Sequence, residues 1–362
     1  MRARGGLGRA PRPLARRAGA PPRPSLPCPG LSGGVPPVSA PAPVQSLPPP
    51  LPTQVVPPPE LRRIEGTRPG RVTGFLAGLL LDFVGGLSLG TRDAIARFVG
   101  GLAYALGIRL KVALDNLAQA LPEKSEAERR AIAKGAYLTM ARVVLESIGT
   151  GERLHPGWEQ DPVVGEEAFR RLRAHVDGGQ GALLVTAHFG NWETLGEMLI
   201  RRGVPLNALV RPLKGALNTR IALERLRVGA GLIYPKGAIQ ETNAALKRGE
   251  CVYMLLDQAL PAKSALFVPF FGRPASTTPA LAVAAQRTGM PVFVVMGVRN
   301  ARGHVQMHVE GPIAPPPPGT PEPLVEHTAR VTAALERTIR QYPEQWLWLH
   351  RRWKVAPPGP AA

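Results

Sequence analysis

Between Val72 and Leu89 the chain is an almost unbroken apolar run of 18 residues, with Asp82 as its single charge. This is the short limit for a bilayer span, which needs about 20 residues. Arg62, Arg63, Arg68 and Arg71 precede the run, and Arg92 and Arg97 follow it. Basic flanks of this kind suit a helix resting on, or anchored in, an anionic leaflet. The glycines and Asp82 suit a buried core helix equally, so the pattern leaves spanning, surface-lying and core roles open. Residues 91–147 read as helical. Thr91 opens one helix and Gly107 closes it, and Pro122 stops a second. Ser125 with Glu128 three residues on forms a capping-box start for a third. That helix places Ile132, Tyr137, Met140, Val144 and Leu145 near a 3.6-residue period.

From about residue 181 short apolar runs alternate with helical patterns. Strands are predicted at 182–187, 206–210, 232–234, 251–256, 292–298 and 305–309. Helices are predicted at 191–202, 217–228, 238–247, 278–288 and 322–341, with 314–319 as a proline-rich loop. Short apolar strands between helices imply an α/β fold: a mainly parallel central sheet flanked by helices, here preceded by an N-terminal helical region that contacts the membrane.

Composition changes this picture mostly at the N-terminus. Residues 1–60 hold 18 of the 41 prolines, seven arginines and one acid, Glu60. Such a segment lacks the backbone donors for helix or sheet and is expected to be disordered and partly polyproline-like. It lacks the apolar stretch of a secretory signal, and its prolines break the amphipathic helix of a transit peptide. After Met1 the next methionine is Met140, so a start at a non-Met codon near Leu61 or Val72 fits the pattern. The expected organisation is a 1–60 extension, N-terminal apolar and amphipathic helices over 61–150, an α/β core over 151–355, and a tail over 356–362. The whole chain carries a formal +19, and removal of 1–60 leaves +13. A basic folded part suits acidic partners or phosphate-bearing lipids. No helix-turn-helix, finger or aromatic platform accompanies the charge, so no nucleic-acid partner is expected. Two cysteines exclude a disulfide scaffold and a multi-cysteine zinc site.

The best chemical candidate is the run Thr186, Ala187, His188, Phe189, Gly190, Asn191, Trp192, Glu193. His188 stands at the end of a predicted strand, where open α/β sheets bind ligands. A histidine there, with a carboxylate five residues on, has the parts of a general base and its orienting group. Asn191 caps the next helix and Gly190 allows close backbone approach. The same residues also fit a structural turn, with Glu193 stabilising a helix start. Three other patterns are decoys. Gly86, Ser88 and Gly90 match the hydrolase elbow, but they follow a helix-like block rather than a strand. His304 and His308 on one strand face stand roughly 13 Å apart, too far for one metal. Cys251 sits in an apolar strand.

The His-x4-Glu run resembles the motif of glycerolipid and lipid A acyltransferases. Further stretches follow in the same order: Asn116-Leu117, Leu121-Pro122-Glu123-Lys124-Ser125, Val210-Arg211-Pro212, Leu256-Asp257-Gln258, Phe267 to Gly272, and Glu344 to Lys354. Together, over about 72–355, they resemble the bacterial lipid A biosynthesis acyltransferase family; nothing in 1–60 does. The resemblance implies acyl transfer from acyl-carrier protein, or alternatively acyl-CoA, to a hydroxyl of a membrane glycolipid. The location it implies is the cytoplasmic face of the inner membrane, and no metal or cofactor is needed. It makes His188 the base and Glu193 the group that orients it. Arg211, Asn191 and Asp257 become candidate substrate-binding residues, Arg211 toward an anionic group of the acceptor. Asp257 fits a second carboxylate near His188 or a loop cap, and the hydroxyls of Ser276 to Thr278 fit a substrate contact or, better, a helix cap. Trp346, Trp348 and Trp353, mixed with His350, Arg351, Arg352 and Lys354, suit a membrane interface or a tryptophan core beside a solvated basic face. A phosphatidylinositol-mannoside-like glycolipid or a lysolipid is the alternative acceptor, and an inactive membrane-bound scaffold the rival class.

Overall fold

The computed structural model describes residues 71–148, 154–211 and 216–358; the expected 1–60 extension lies outside them. Four helices come first: α1 (Arg71–Gly86), α2 (Leu89–Ala105), α3 (Leu110–Ala120) and α4 (Glu126–Ser147). The apolar run of 72–89 is therefore mostly α1, and only its last residue, Leu89, belongs to α2. Ser88 breaks it as the N-cap of α2, its hydroxyl accepting the Thr91 N–H at 3.2 Å. This accounts for the serine of the elbow-like pattern, because a capped turn between helices holds no nucleophile elbow. Among the described residues no helix is long and apolar enough to cross a membrane. The capping box that starts α4 is formed, with Ser125 N–H donating to Glu128 at 2.8 Å and Glu128 N–H donating to Ser125 Oγ at 3.3 Å.

After α5 (Glu166–Asp177) the chain alternates β1 (Leu183–Thr186), α6 (Trp192–Arg201), β2 (Leu206–Leu209), α7 (Ala216–Arg227), β3 (Gly231–Ile233), α8 (Ala238–Lys247) and β4 (Cys251–Leu255). A hairpin, β5 (Leu266–Phe270) and β6 (Arg273–Thr277), precedes α9 (Ala280–Thr288), β7 (Val292–Arg299), β8 (Val305–Ile313) and α10 (Pro323–Gln341). Six strands form one sheet in the order β3-β2-β4-β1-β7-β8. All its pairings are parallel except β7 with β8. The hairpin stands apart as an antiparallel pair.

Strand residues alternate between two apolar layers, as a sheet covered on both faces requires. Leu183, Val185, Val252, Met254 and Val294 join Leu117, Ala136 and Leu335 from α3, α4 and α10. Leu184, Tyr253, Phe293 and Val295 join Phe169, Leu195 and Met198 from α5 and α6. Helices α3 and α4 thus share a core with the sheet.

The parallel register decides what meets at the carboxyl edge. Thr186 of β1 pairs with Leu255 of β4. His188 and Asp257, each two residues further on, therefore leave the sheet side by side. The turn after β1 is confined as well. Gly190 has a φ of +52°, and its N–H donates to Gln345 O at 2.9 Å. A Cβ at this position would lie 1.8 Å from Gly297 O of β7. Gly190→Ala should lower stability by at least about 2 kcal/mol, since left-handed strain and a backbone collision act together. Thermal unfolding measures this, and a midpoint equal to wild type would contradict the confinement.

Candidate active site

Asp257 leads off β4 into a buried position, its side chain only 2% exposed. A buried carboxylate must be hydrogen-bonded to be tolerated, and this one accepts from three donors. Oδ1 lies 2.8 Å from His188 Nδ1. Oδ2 accepts the His188 backbone N–H at 2.9 Å and the Trp346 indole N–H at 2.8 Å. Burial pushes the Asp257 pKa up, but the adjacent His188 and these hydrogen bonds outweigh it and hold the carboxyl at about 2.

An ionised Asp257 only accepts hydrogen bonds, so in the neutral ring Nδ1 carries the proton and Nε2 offers a lone pair. Gln258 Nε2, an amide donor, lies 3.3 Å from that nitrogen. The imidazole remains 22% exposed, with the edge of Trp192 against it at 5.1 Å between centroids. A histidine with one nitrogen tied to a buried carboxylate and the other reachable is built to accept a proton from a ligand hydroxyl.

The segment after α10 closes the site from behind. Leu347 N–H donates to His188 O at 3.0 Å, and Trp346 forms a β-bridge with Phe189. His350 Nε2 accepts the Ala259 N–H at 3.2 Å, which fixes the loop after Asp257. Desolvation holds the His350 pKa down at about 4, so this ring is neutral at neutral pH. Trp346 and Trp348 are buried, and so is Arg352, whose guanidinium donates to Ser276 O and Thr277 Oγ1. The membrane-interface reading of these three residues is corrected here: the two indole N–H groups and the terminal nitrogens of Arg352 donate to protein, and the two tryptophan rings fill the core behind Asp257. Of the run expected as a helix cap, Ser276 belongs to β6 and meets Arg352, while Thr278 Oγ1 accepts the Ala280 N–H at the start of α9 at 3.2 Å.

Glu193 sits elsewhere in the network than expected. The carboxylate on the His188 imidazole is Asp257. Glu193 binds Arg225 of α7 in a two-pronged pair at 2.9 and 2.5 Å, and accepts the Trp192 indole N–H at 3.0 Å. Burial lowers the Arg225 pKa, but its contact with Glu193 raises it further, so the pair stays charged. The physical reason is helix geometry, because Glu193 in the first turn of α6 faces α7 rather than the strand end. Asn191 is fully buried as the α6 cap. Its Oδ1 accepts the Glu193 and Thr194 N–H groups at 3.1 and 3.0 Å, and its Nδ2 donates to Glu146. With these bonds made it has no polar atom turned to a ligand. Arg211 is exposed beyond the carboxyl end of β2, on the same edge as His188 and Asp257. Sequence reasoning missed Arg225 and the role of Trp346; the ordered carboxyl-terminal motif was the one signal for the latter.

The Asp257 carboxyl is depressed in the folded state, so its stabilising effect is complete above its ordinary value of 3.8 and is lost as pH falls toward 2. The unfolding midpoints of wild type and Asp257→Asn should therefore differ most above that window and converge within it. A gap independent of pH would contradict the assignment.

Comparison with known proteins gives the family. The family described as bacterial lipid A biosynthesis acyltransferase matches residues 68–355. A lipid A biosynthesis palmitoleoyltransferase of Escherichia coli K12 is 28% identical over 279 residues, covering 75% of this chain and 85% of the relative. A lipid A biosynthesis lauroyltransferase of the same organism is 30% identical over 260 residues, covering 69% and 81%. A lipid A biosynthesis acyltransferase of Haemophilus influenzae is 23% identical over 282 residues, covering 75% and 83%. With a matched region that includes the paired His188 and Asp257 and the segment that closes over them, the chain belongs to the bacterial lipid A biosynthesis acyltransferase family and is an acyltransferase.

Proposed function

We propose that the protein moves a fatty acyl chain from an acyl-carrier-protein thioester to a hydroxyl of a lipid A precursor, at the cytoplasmic face of the inner membrane. The observation that carries this reading is the part-exposed imidazole of His188, held through Nδ1 by Asp257, with Nε2, among the described residues, in contact with the Gln258 amide alone. Nε2 takes the proton of the acceptor hydroxyl as its oxygen attacks the thioester carbonyl. Asp257 stabilises the imidazolium so formed. Collapse of the tetrahedral adduct forms the ester and expels the thiolate, which takes the proton back from Nε2. Bonds and protons balance without a metal or a covalent enzyme intermediate. Arg211, at the same rim, is assigned to an anionic group of the acceptor. Glu193 acts through position: tied to Arg225 and Trp192, it fixes the start of α6 and the indole against His188.

Membrane contact is supported by the first two helices. Leu76, Leu79, Leu80, Phe83, Phe98 and Leu102 of α1 and α2 are exposed. Apolar side chains clustered this way mark an interaction surface rather than scattered exposure. Charge on the folded part favours an anionic leaflet. A helical pair lying in the interface with its apolar side down is the arrangement proposed, rather than a span.

The direct test is transfer of labelled acyl groups from acyl-carrier protein to lipid acceptors in purified membranes. Labelling of a lipid A precursor that His188→Ala abolishes is expected; labelling of another lipid would move the acceptor, and full activity in the variant would sink the mechanism. Asp257→Asn should lower kcat by roughly 10²–10⁴-fold with KM little changed. Glu193→Gln should cost less and show its effect also in thermal stability. The reverse order of the two variants would return the orienting role to Glu193. Replacing Leu80 and Phe83 together by Glu should weaken flotation with anionic vesicles by at least about tenfold, from the apolar area forfeited. Unchanged flotation would contradict the membrane face.

A further inference from the structure

Away from His188, three ligating side chains converge where the segment before α5 meets the β7–β8 turn. Ligating atoms of His155, Asp161 and His304 all lie within 4.8 Å of one another. The backbone that carries them is fixed by other bonds. Arg202 donates to the carbonyls of Trp158, Glu159 and Asp161 at 3.4, 3.2 and 3.2 Å. Val164 N–H donates to Met307 O at 3.0 Å, and Gln306 Nε2 donates to Pro162 O at 3.0 Å, so the segment is tied to β8. In the turn, Asn300 Oδ1 accepts the His304 N–H at 3.1 Å. Two stretches far apart in sequence thus deliver the three side chains to one place on a rigid frame.

The protons of the cluster decide what it can hold. His155 Nδ1 lies 3.0 Å from Pro156 O, and a carbonyl only accepts, so Nδ1 carries the proton of the neutral ring. Nε2 is then a bare lone pair, and it faces Asp161 Oδ2 at 2.6 Å. Two lone pairs at that distance repel unless a positive centre joins them, either a second proton on the ring or a metal ion. His304 favours the ion. Desolvation and then the neighbouring His155 lower its pKa, so its ring is neutral at neutral pH. Among the described residues neither of its nitrogens makes a hydrogen bond. An imidazolium–carboxylate pair of His155 and Asp161 leaves that third lone pair unused, whereas a metal ion uses all three. A backbone carbonyl on the far nitrogen, as at His155, is also the usual orienting partner of a metal-bound imidazole. Arg302 and Arg299 oppose a cation, but each acts on His304 less than Asp161 does. Arg299 is moreover paired with Glu146 at 2.8 and 2.6 Å.

We propose that His155, Asp161 and His304 bind a divalent transition-metal ion of the zinc class. Two imidazoles and one carboxylate suit such an ion, and offer too few oxygens for calcium or magnesium. The two rings stack at 3.6 Å between centroids with their planes 12° apart. A ring nitrogen's lone pair lies in the plane of its ring, so the ion draws the planes apart until both lone pairs meet it. A face-to-face stack is not a favoured arrangement. A cavity of about 310 Å³ lined by both histidines leaves room for that movement and for water to complete the shell. The ion clips the segment before α5 to the β7–β8 turn. None of its ligands takes part in the acyl-transfer chemistry, so the inference does not rest on that reading.

The test uses the full chain, stripped with a chelator, with Zn²⁺, Co²⁺ and Mg²⁺ as probes. Calorimetric titration of wild type with Zn²⁺ should show one saturable site that His304→Gln and Asp161→Asn each weaken at least about tenfold. Thermal unfolding of the stripped proteins reports whether the variants fold, and added Zn²⁺ should raise the wild-type midpoint and leave theirs unmoved. Paramagnetic Co²⁺ should shift the ring signals of His155 and His304 together, which separates this site from metal held by other histidines. Absence of saturable Zn²⁺ binding by wild type would overturn the proposal and leave His155 and Asp161 an ordinary ion pair. Zn²⁺ binding that neither substitution weakens, or Mg²⁺ bound as tightly as Zn²⁺, would overturn it as well.

Discussion

The structure around the site depends on one buried carboxylate. Asp257 is enclosed by protein, and the cost of removing its charge from water is met only by the donors converging on it. Those donors come from distant parts of the chain: the backbone and ring of His188 after β1, and the indole of Trp346 after α10. Satisfying one side chain thus requires the β1–β4 register, the tight turn at Gly190 and the closing segment to be in place together. Removal of any of them would leave a buried charge short of a partner, which costs far more than the loss of an ordinary contact.

The same constraint gives the imidazole its chemical character. Asp257 fixes which nitrogen carries the proton, and the partial exposure of the ring leaves the other nitrogen for a ligand. The second carboxylate of the neighbourhood is occupied differently. Glu193 and Arg225 form a local pair that joins α6 to α7, and Asn191 closes the end of α6. In the proposed mechanism the carboxyl edge separates two tasks, proton transfer at His188 and Asp257 and mechanical support at Asn191, Glu193 and Arg225.

Much of this was legible in the sequence. The strand–helix alternation after residue 181 reflects a sheet buried on both faces, and the apolar runs mark its strands directly. The capping box at Ser125 was equally local. His188 was legible because it ends an apolar strand. Its pairing was legible only as an alternative, Asp257 as a second carboxylate near His188, because the 69 residues to Asp257 are bridged by strand order, and spacing along the chain favoured the nearer Glu193. The β5–β6 hairpin was not predicted: Pro269 and Pro274 within it withhold backbone donors that a strand ordinarily supplies, although an isolated pair leaves an edge where prolines are tolerated. Helix α5 was missed because its stretch is strongly polar and only Ala168, Phe169 and Leu172 are buried. The closing tryptophans read either as an interfacial set or as a core, because composition does not tell an aromatic facing lipid from one facing a buried aspartate.

The central claim is that Asp257 holds His188 in the tautomer that leaves Nε2 unprotonated. Nitrogen-15 spectra of the histidine side chains, with His188 assigned by its loss in His188→Ala, read this directly. In the neutral form of the ring the account predicts a protonated Nδ1 with a strong hydrogen-bond signature and a bare Nε2, both lost in Asp257→Asn. A neutral ring protonated at Nε2, or a spectrum indifferent to Asp257, would contradict it.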